Sequence, residues 1–198
     1  MTSQGAEINW KELGVFTSQS MFNEILVIYI FFTLLFTVCY YLNKMYYPSL
    51  MKAMFGEKSG YFSMNEKNTR EYHSRNVTDF HACISGPLAL YSCFSVCDDP
   101  SQNIFSSYEC IMKPQKAQLY LIAISAGYVT YDLWLCLFEL GYTMKKGGDF
   151  IVHHIVGWLG AVAVLVSGRF NVALSCGQLV SELTGFFMNN RWRMIKHG

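Results

Sequence analysis

Residues 25–42 read ILVIYIFFTLLFTVCYYL, and the reading of this stretch decides the fold. Eighteen residues without a charged side chain match the apolar length that one helix needs to cross a bilayer. A secretory leader would begin nearer the start, follow a basic flank and end in small residues at a cleavage site, and this run does none of these. Working outward, four further apolar segments follow at 77–97, 117–140, 150–168 and 170–188, each carrying a few polar residues. Helices of a soluble bundle would show a continuous charged face to water, and these mostly lack one. The expectation is an all-α, polytopic helical membrane bundle of about five transmembrane helices.

Composition agrees. Only 15% of the 198 residues are charged against 52% hydrophobic, too little charge for the surface of a soluble domain of this size. The apolar content excludes disorder. A net charge of +1 argues against nucleic acid as a partner and leaves membrane lipids. Nothing in the sequence sets the oligomeric state.

Loop charges orient the bundle. Eleven Lys and Arg fall in the loops after the first and third segments and after the fifth, and four fall on the other side. The excess on one side places the N-terminal residues 1–24 outside or in the lumen and the chain end in the cytosol. Cys97 and Cys110 bracket a loop on the lumenal side, where they either form a disulfide or remain separate thiols. No spacing of Cys and His typical of a metal site occurs, so neither a metal nor a resident cofactor is expected.

Ionisable residues inside the spans are costly, about 2.5 to 3.5 kcal/mol each near the bilayer centre, so they call for a reason. Asp79 and His81 lie in the second segment, Asp132 and Glu139 in the third, His153 and His154 in the fourth, and Glu182 in the fifth. Because direction reverses at each crossing, all seven fall in one leaflet. Two helices also carry polar stripes at steps of three and four: Ser125, Tyr128, Asp132, Cys136 and Glu139 in one, and Asn171, Ser175, Gln178, Glu182, Gly185 and Asn189 in the other. The small and amide residues of these stripes read as interhelical glue, whereas a carboxylate is poor glue without a cationic or protonated partner. His153 and His154 project about 100 degrees apart, so one reacts or faces a ligand and the other supports it. Glu139 reads as interfacial, Arg75 and Asp79 as an i,i+4 pair, Pro87 as a kink, and Gly157 with Gly160 as a close helix approach.

The phrases HSRNVTDFHA (73–82), AISAGYVTYDL (123–133), GDFIVHHIVGW (148–158) and LVSELTGFFMNNRW (179–192), in this order, resemble the TLC-domain family, which includes the ceramide synthases. The resemblance covers roughly residues 72–192, which would form a TLC-like domain of four membrane helices after the first helix at 25–42, with 193–198 as a short tail. It implies a multi-pass protein of the endoplasmic reticulum or another internal membrane, concerned with lipid metabolism or membrane lipid homeostasis. In ceramide synthases the adjacent histidines are essential to joining an acyl group from acyl-CoA to a sphingoid amine, and His153 and His154 match that pair. On that reading His153 or His154 serves as base or acyl acceptor, Asp132 and Glu182 orient it, and acyl-CoA is the substrate. Asp79, His81, Tyr128, Gln178 and Asn189 would bind lipid or support the site. The contrasting reading is a lipid binder or transport factor without catalysis. Two departures stand out: no carboxylate follows the histidine pair before Glu182, and the family continues past its N-x-RW phrase with at least one further helix, which is expected to be missing here.

Overall fold

The computed structural model describes residues 19–95, 97–167 and 169–197. Most of the expected outer segment 1–24, including Lys11, lies outside the described residues, as do the side chains of Arg169 and Asn171. The chain forms seven α-helices among these residues and no named strand: α1 (Gln19–Phe55), α2 (Glu66–Phe94), α3 (Tyr108–Met112), α4 (Lys116–Trp134), α5 (Gly148–Ser167), α6 (Arg169–Leu179) and α7 (Glu182–His197). A short turn of 3-10 helix at Gly60–Ser63 precedes α2, and α4 runs on into a π turn at Leu135–Glu139.

This is the all-α membrane bundle expected, with the spans distributed differently. Among the described residues, three helices are long and apolar enough to cross a membrane: Ser20–Phe55, Lys116–Glu139 and Gly148–Leu165. Residues 77–94 are helical but less apolar, because α2 turns His81, Ser85 and Ser92 into the protein interior. The segment expected at 170–188 is two helices meeting at Val180 and Ser181. Ser181 followed by Glu182 is a helix-start signal. The corner holds its own main chain: Leu183 and Thr184 donate N–H to the carbonyls of Val180 and Ser181, and the Ser181 and Thr184 hydroxyls donate to those of Gln178 and Ser181.

α4 is the central helix. Its apolar residues Leu121, Ile122 and Ala123 pack with Ala89 and Cys93 of α2 and Val172, Ala173 and Cys176 of α6. Nearer its other end Ile124, Tyr128, Tyr131 and Leu135 pack on Phe36 and Tyr40 of α1. One glycine sets the α1–α4 approach: a Cβ on Gly127 would lie 2.9 Å from the Tyr29 carbonyl oxygen and 3.1 Å from the Thr33 nitrogen. Gly157 and Gly160 do the opposite of what was expected of them. A Cβ on Gly160 would meet nothing within 4 Å and one on Gly157 only Val129, so these glycines leave space and do not draw helices together. Pro87 lies inside a continuous α2.

The two ends of the bundle are closed differently. At one, Cys97 and Cys110 form a disulfide, the first of the two alternatives the sequence left open. At the other, Tyr61 donates its hydroxyl to His73 Nε2 (3.1 Å) and His73 Nδ1 donates to Asn43 Oδ1 (2.9 Å), inside a cluster with Tyr47 and Tyr72. Burial pushes the His73 pKa down to about 4, so its ring is held neutral in the tautomer these bonds require.

Candidate functional site

The site is built where α4 meets the start of α5. Steps of three and four along α4 bring Ser125, Tyr128, Asp132 and Cys136 to one face. Beyond Cys136 the π turn lengthens the repeat, and Glu139 lies against α1, within 3.3 Å of the Tyr40 and Tyr41 hydroxyls and 3.2 Å of Lys44 Nζ. The chain then reverses through Gly147, whose φ of 97° is one that side chains rarely adopt, and whose absent Cβ leaves room for the Tyr142 ring. That turn aims the first turns of α5 back at α4.

As a result His154 Nε2 lies 2.6 Å from Asp132 Oδ2, while its Nδ1 lies 2.6 Å from the Phe150 carbonyl oxygen. A carbonyl only accepts, so Nδ1 carries a proton and donates it. A second proton must then lie between Nε2 and the carboxylate. In either placement of that proton, both ring nitrogens of His154 are engaged, and the residue is 93% buried by its 7% relative exposure. In this arrangement neither ring nitrogen of His154 is without a partner. His153 differs: it is exposed, and its ring stands edge-on to His154 at 5.3 Å. Within the pair, His154 is the buried member with both nitrogens engaged, and His153 is the exposed one.

Two cavities border His153. The first, of about 360 Å³, opens between α2, α4, α5 and α7 and is lined by Tyr128, Asp132, His153, His154 and Asn189, together with Glu71, Arg75 and Tyr142. The second, of about 410 Å³, runs along α5 past Gly157 and Gly160 and is lined on its polar wall by Ser125, Ser175, Gln178 and Glu182. Ser125, Ser175 and Gln178, expected to act as glue, therefore face open volume. Ser125 Oγ, buried there, has no hydrogen-bond partner among the described residues. Ile122, Ala126, Val156 and Val164 form the apolar wall.

His81 and Asp79 lie beyond both cavities. His81 is 1% exposed and stacks on Tyr128 with centroids 4.0 Å apart, its Nδ1 3.8 Å from Glu182 Oε2. Asp79 does not pair with Arg75. It takes Arg193 of α7 at 2.5 Å and the side-chain amide of Asn189 at 2.7 Å, while Arg75 donates to Asn189 Oδ1 at 2.9 Å and lies over the Trp192 ring. Arg193 also donates to Asn76 at 2.8 Å. This clamp between α2 and α7 was missed from sequence, although its members stand within two of the quoted phrases and the residue that follows them. Asp132, Cys136 and His154 also bring donor atoms of metal-ligating type within 4.8 Å of one another. A metal there would have to displace the direct contact between Asp132 and His154.

A model of the TLC domain matches residues 71–197. The chain is 28% identical over 137 residues to TLC domain-containing protein 4-B of Xenopus laevis, and 30% identical over 138 residues to TLC domain-containing protein 4-B of Danio rerio. Each match covers 67% of this chain and 47% of the relative, so the chain spans about half the length of the curated relatives it matches. No solved structure matches it.

Proposed function

Because this chain belongs to the TLC domain family, we propose that it is an integral membrane protein that holds a single lipid and acts in lipid metabolism or membrane lipid homeostasis, in the endoplasmic reticulum or another internal membrane. The observation that carries this reading is the position of His153, which borders both the polar cavity beside Asp132 and the longer cavity along Gly157 and Gly160. A head group would occupy the first and an acyl chain the second. Cavities of several hundred Å³ with one apolar wall and a few convergent polar groups are the form that small-ligand sites take.

The test is retention of lipid through purification, read by mass spectrometry. The wild-type chain is expected to carry about one lipid, and Gly160→Leu, which projects a side chain into the second cavity from a position where a Cβ meets nothing within 4 Å, to lose most of it. Equal retention by both proteins would remove the second cavity from the reading.

A second reading is N-acyl transfer, favoured by one observation: the free His153 ring stands beside a neighbour whose two nitrogens are already committed. In that reaction His153 attacks the thioester carbonyl of acyl-CoA, the thiol leaves with a proton, and a sphingoid amine then takes the acyl group and restores the imidazole. N-acyl product from wild type that vanishes in His153→Ala and survives at reduced rate in His154→Gln supports transfer. Equal background in all three leaves binding alone.

A further inference from the structure

Every charged group on the first cavity but one has an opposite charge in contact. Asp132 meets His154. Glu71 lies 3.9 Å from Lys67 Nζ and accepts from the Tyr142 hydroxyl at 3.3 Å. Arg75 is the exception: among the described residues it makes no ion pair, and its Nε is buried without a hydrogen-bond partner. Its contacts are the neutral Asn189 and the face of Trp192, with the guanidinium carbon 4.4 Å from the ring centroid. These neighbours hold the guanidinium in place, and Glu71, one turn earlier on α2, acts on it electrostatically without forming an ion pair with it.

Its depth is informative. Arg75 lies in the early turns of α2, near Tyr142 in the loop that joins α4 to α5, so it stands at the end of the cavity nearest the loops and away from Gly160. That is where a lipid whose chain passes His153 would place its head group. A cation in a partly dehydrated site calls for an anionic partner, and a guanidinium favours a planar or tetrahedral oxyanion that accepts two of its N–H groups.

We infer that Arg75 anchors a phosphate group on the lipid held by this cavity, so that the ligand is a phosphate-bearing acyl compound and not a neutral lipid. This rests on the lipid-binding reading above and adds the class of head group. Two sources share the chemistry, the head group of a phospholipid and the phosphates of an acyl-CoA thioester.

The test uses the full chain in dodecyl maltoside, which carries no phosphate, challenged with phosphatidic acid or with diacylglycerol of the same acyl chains, and reads retained lipid by mass spectrometry. Wild type is expected to retain phosphatidic acid at least about tenfold over diacylglycerol, the range of one charge-assisted contact. Arg75→Gln is expected to bring the two to parity without loss of diacylglycerol, and Arg75→Lys to keep part of the preference. Thermal unfolding of each variant identifies any loss of fold, in which case the wild-type ratio and Arg75→Lys decide. Displacement of phosphatidic acid by palmitoyl-CoA but not by palmitate names the thioester as the phosphate source, and resistance to both names the phospholipid. A wild type that keeps diacylglycerol as well as phosphatidic acid, or an Arg75→Gln protein that keeps the preference, overturns the phosphate site and leaves the lipid-binding reading standing. Retention of neither lipid overturns both.

Discussion

Gly127→Ala isolates the packing that holds α1 against α4. The new methyl would lie 2.9 Å from the Tyr29 carbonyl oxygen, 3.1 Å from the Thr33 nitrogen and 3.2 Å from Thr33 Oγ1. The two closest atoms are main chain and cannot rotate away, so the helices must part by about half an ångström. Overpacking of this kind costs about 1 to 3 kcal/mol. The separation also stretches the 3.0 Å bond between the Tyr29 hydroxyl and Thr130 Oγ1, a contact of about 0.6 kcal/mol in a membrane bundle. Against this, alanine favours helix over glycine by about 1 kcal/mol. The net is a loss of about 0.5 to 2.5 kcal/mol, which lowers the melting temperature by a few degrees. Gly157→Ala carries the same propensity gain and meets only Val129 Cγ1 at 3.9 Å, so it should be neutral or slightly stabilising. Both can be followed in detergent with a thiol-reactive dye, because Cys93, Cys136 and Cys176 are buried and become reactive on unfolding. If Gly127→Ala melts with wild type or above it while Gly157→Ala does not fall, the close approach of α1 and α4 is not a constraint and the reasoning fails.

Acid should destabilise the protein through His73. Its folded pKa of about 4 lies below the ordinary value of 6.5, so the unfolded chain binds the extra proton between them. Stability present above pH 6.5 is then lost as pH falls towards 4, by up to about 3 kcal/mol, and melting curves of His73→Gln should be flatter over that window than those of wild type. Asp79→Asn should cost about 3 kcal/mol, because it strands the Arg193 guanidinium in a site where both side chains are only 15% exposed; the measurement is protease cleavage within α7, and unchanged protection would remove the clamp. With the disulfide intact, Cys97 and Cys110 should resist maleimide labelling until reductant is added. Protection of the pair in intact membranes from cells would place their loop in an oxidising compartment, the side the charge distribution assigns to it.

The helices and the ionisable candidates were legible because both rest on local patterns. An apolar run declares a helix, and costly groups inside it declare themselves by their rarity. What sequence could not supply was pairing. Asp79 looked committed to Arg75 one turn earlier, but a base placed before an acid is the weaker order for an i,i+4 pair, and Arg193 from α7 takes it. Which histidine is left exposed was equally hidden, since it turns on the His154 side chain reaching back to the Phe150 carbonyl, a rotamer choice within one helix. Gly157 and Gly160 show a third limit: a missing side chain serves contact or space equally well, and only the neighbouring helices decide. The break at Ser181 was obscured because the apolar residues on both sides average into one segment.

The disulfide has a mechanical consequence. It shortens the tether between the end of α2 and the start of α4, while the opposite ends of these helices, where Arg75 and Asp132 stand, are joined by side chains alone. Helices pinned at one end separate as levers, with displacement growing with distance from the pin. On the lipid-binding proposal, passage of a head group between α2 and α4 would need only a small angular opening, widest where the polar cavity lies. Reduction of the bond would remove the fulcrum, and the same opening would then spread along the length of both helices.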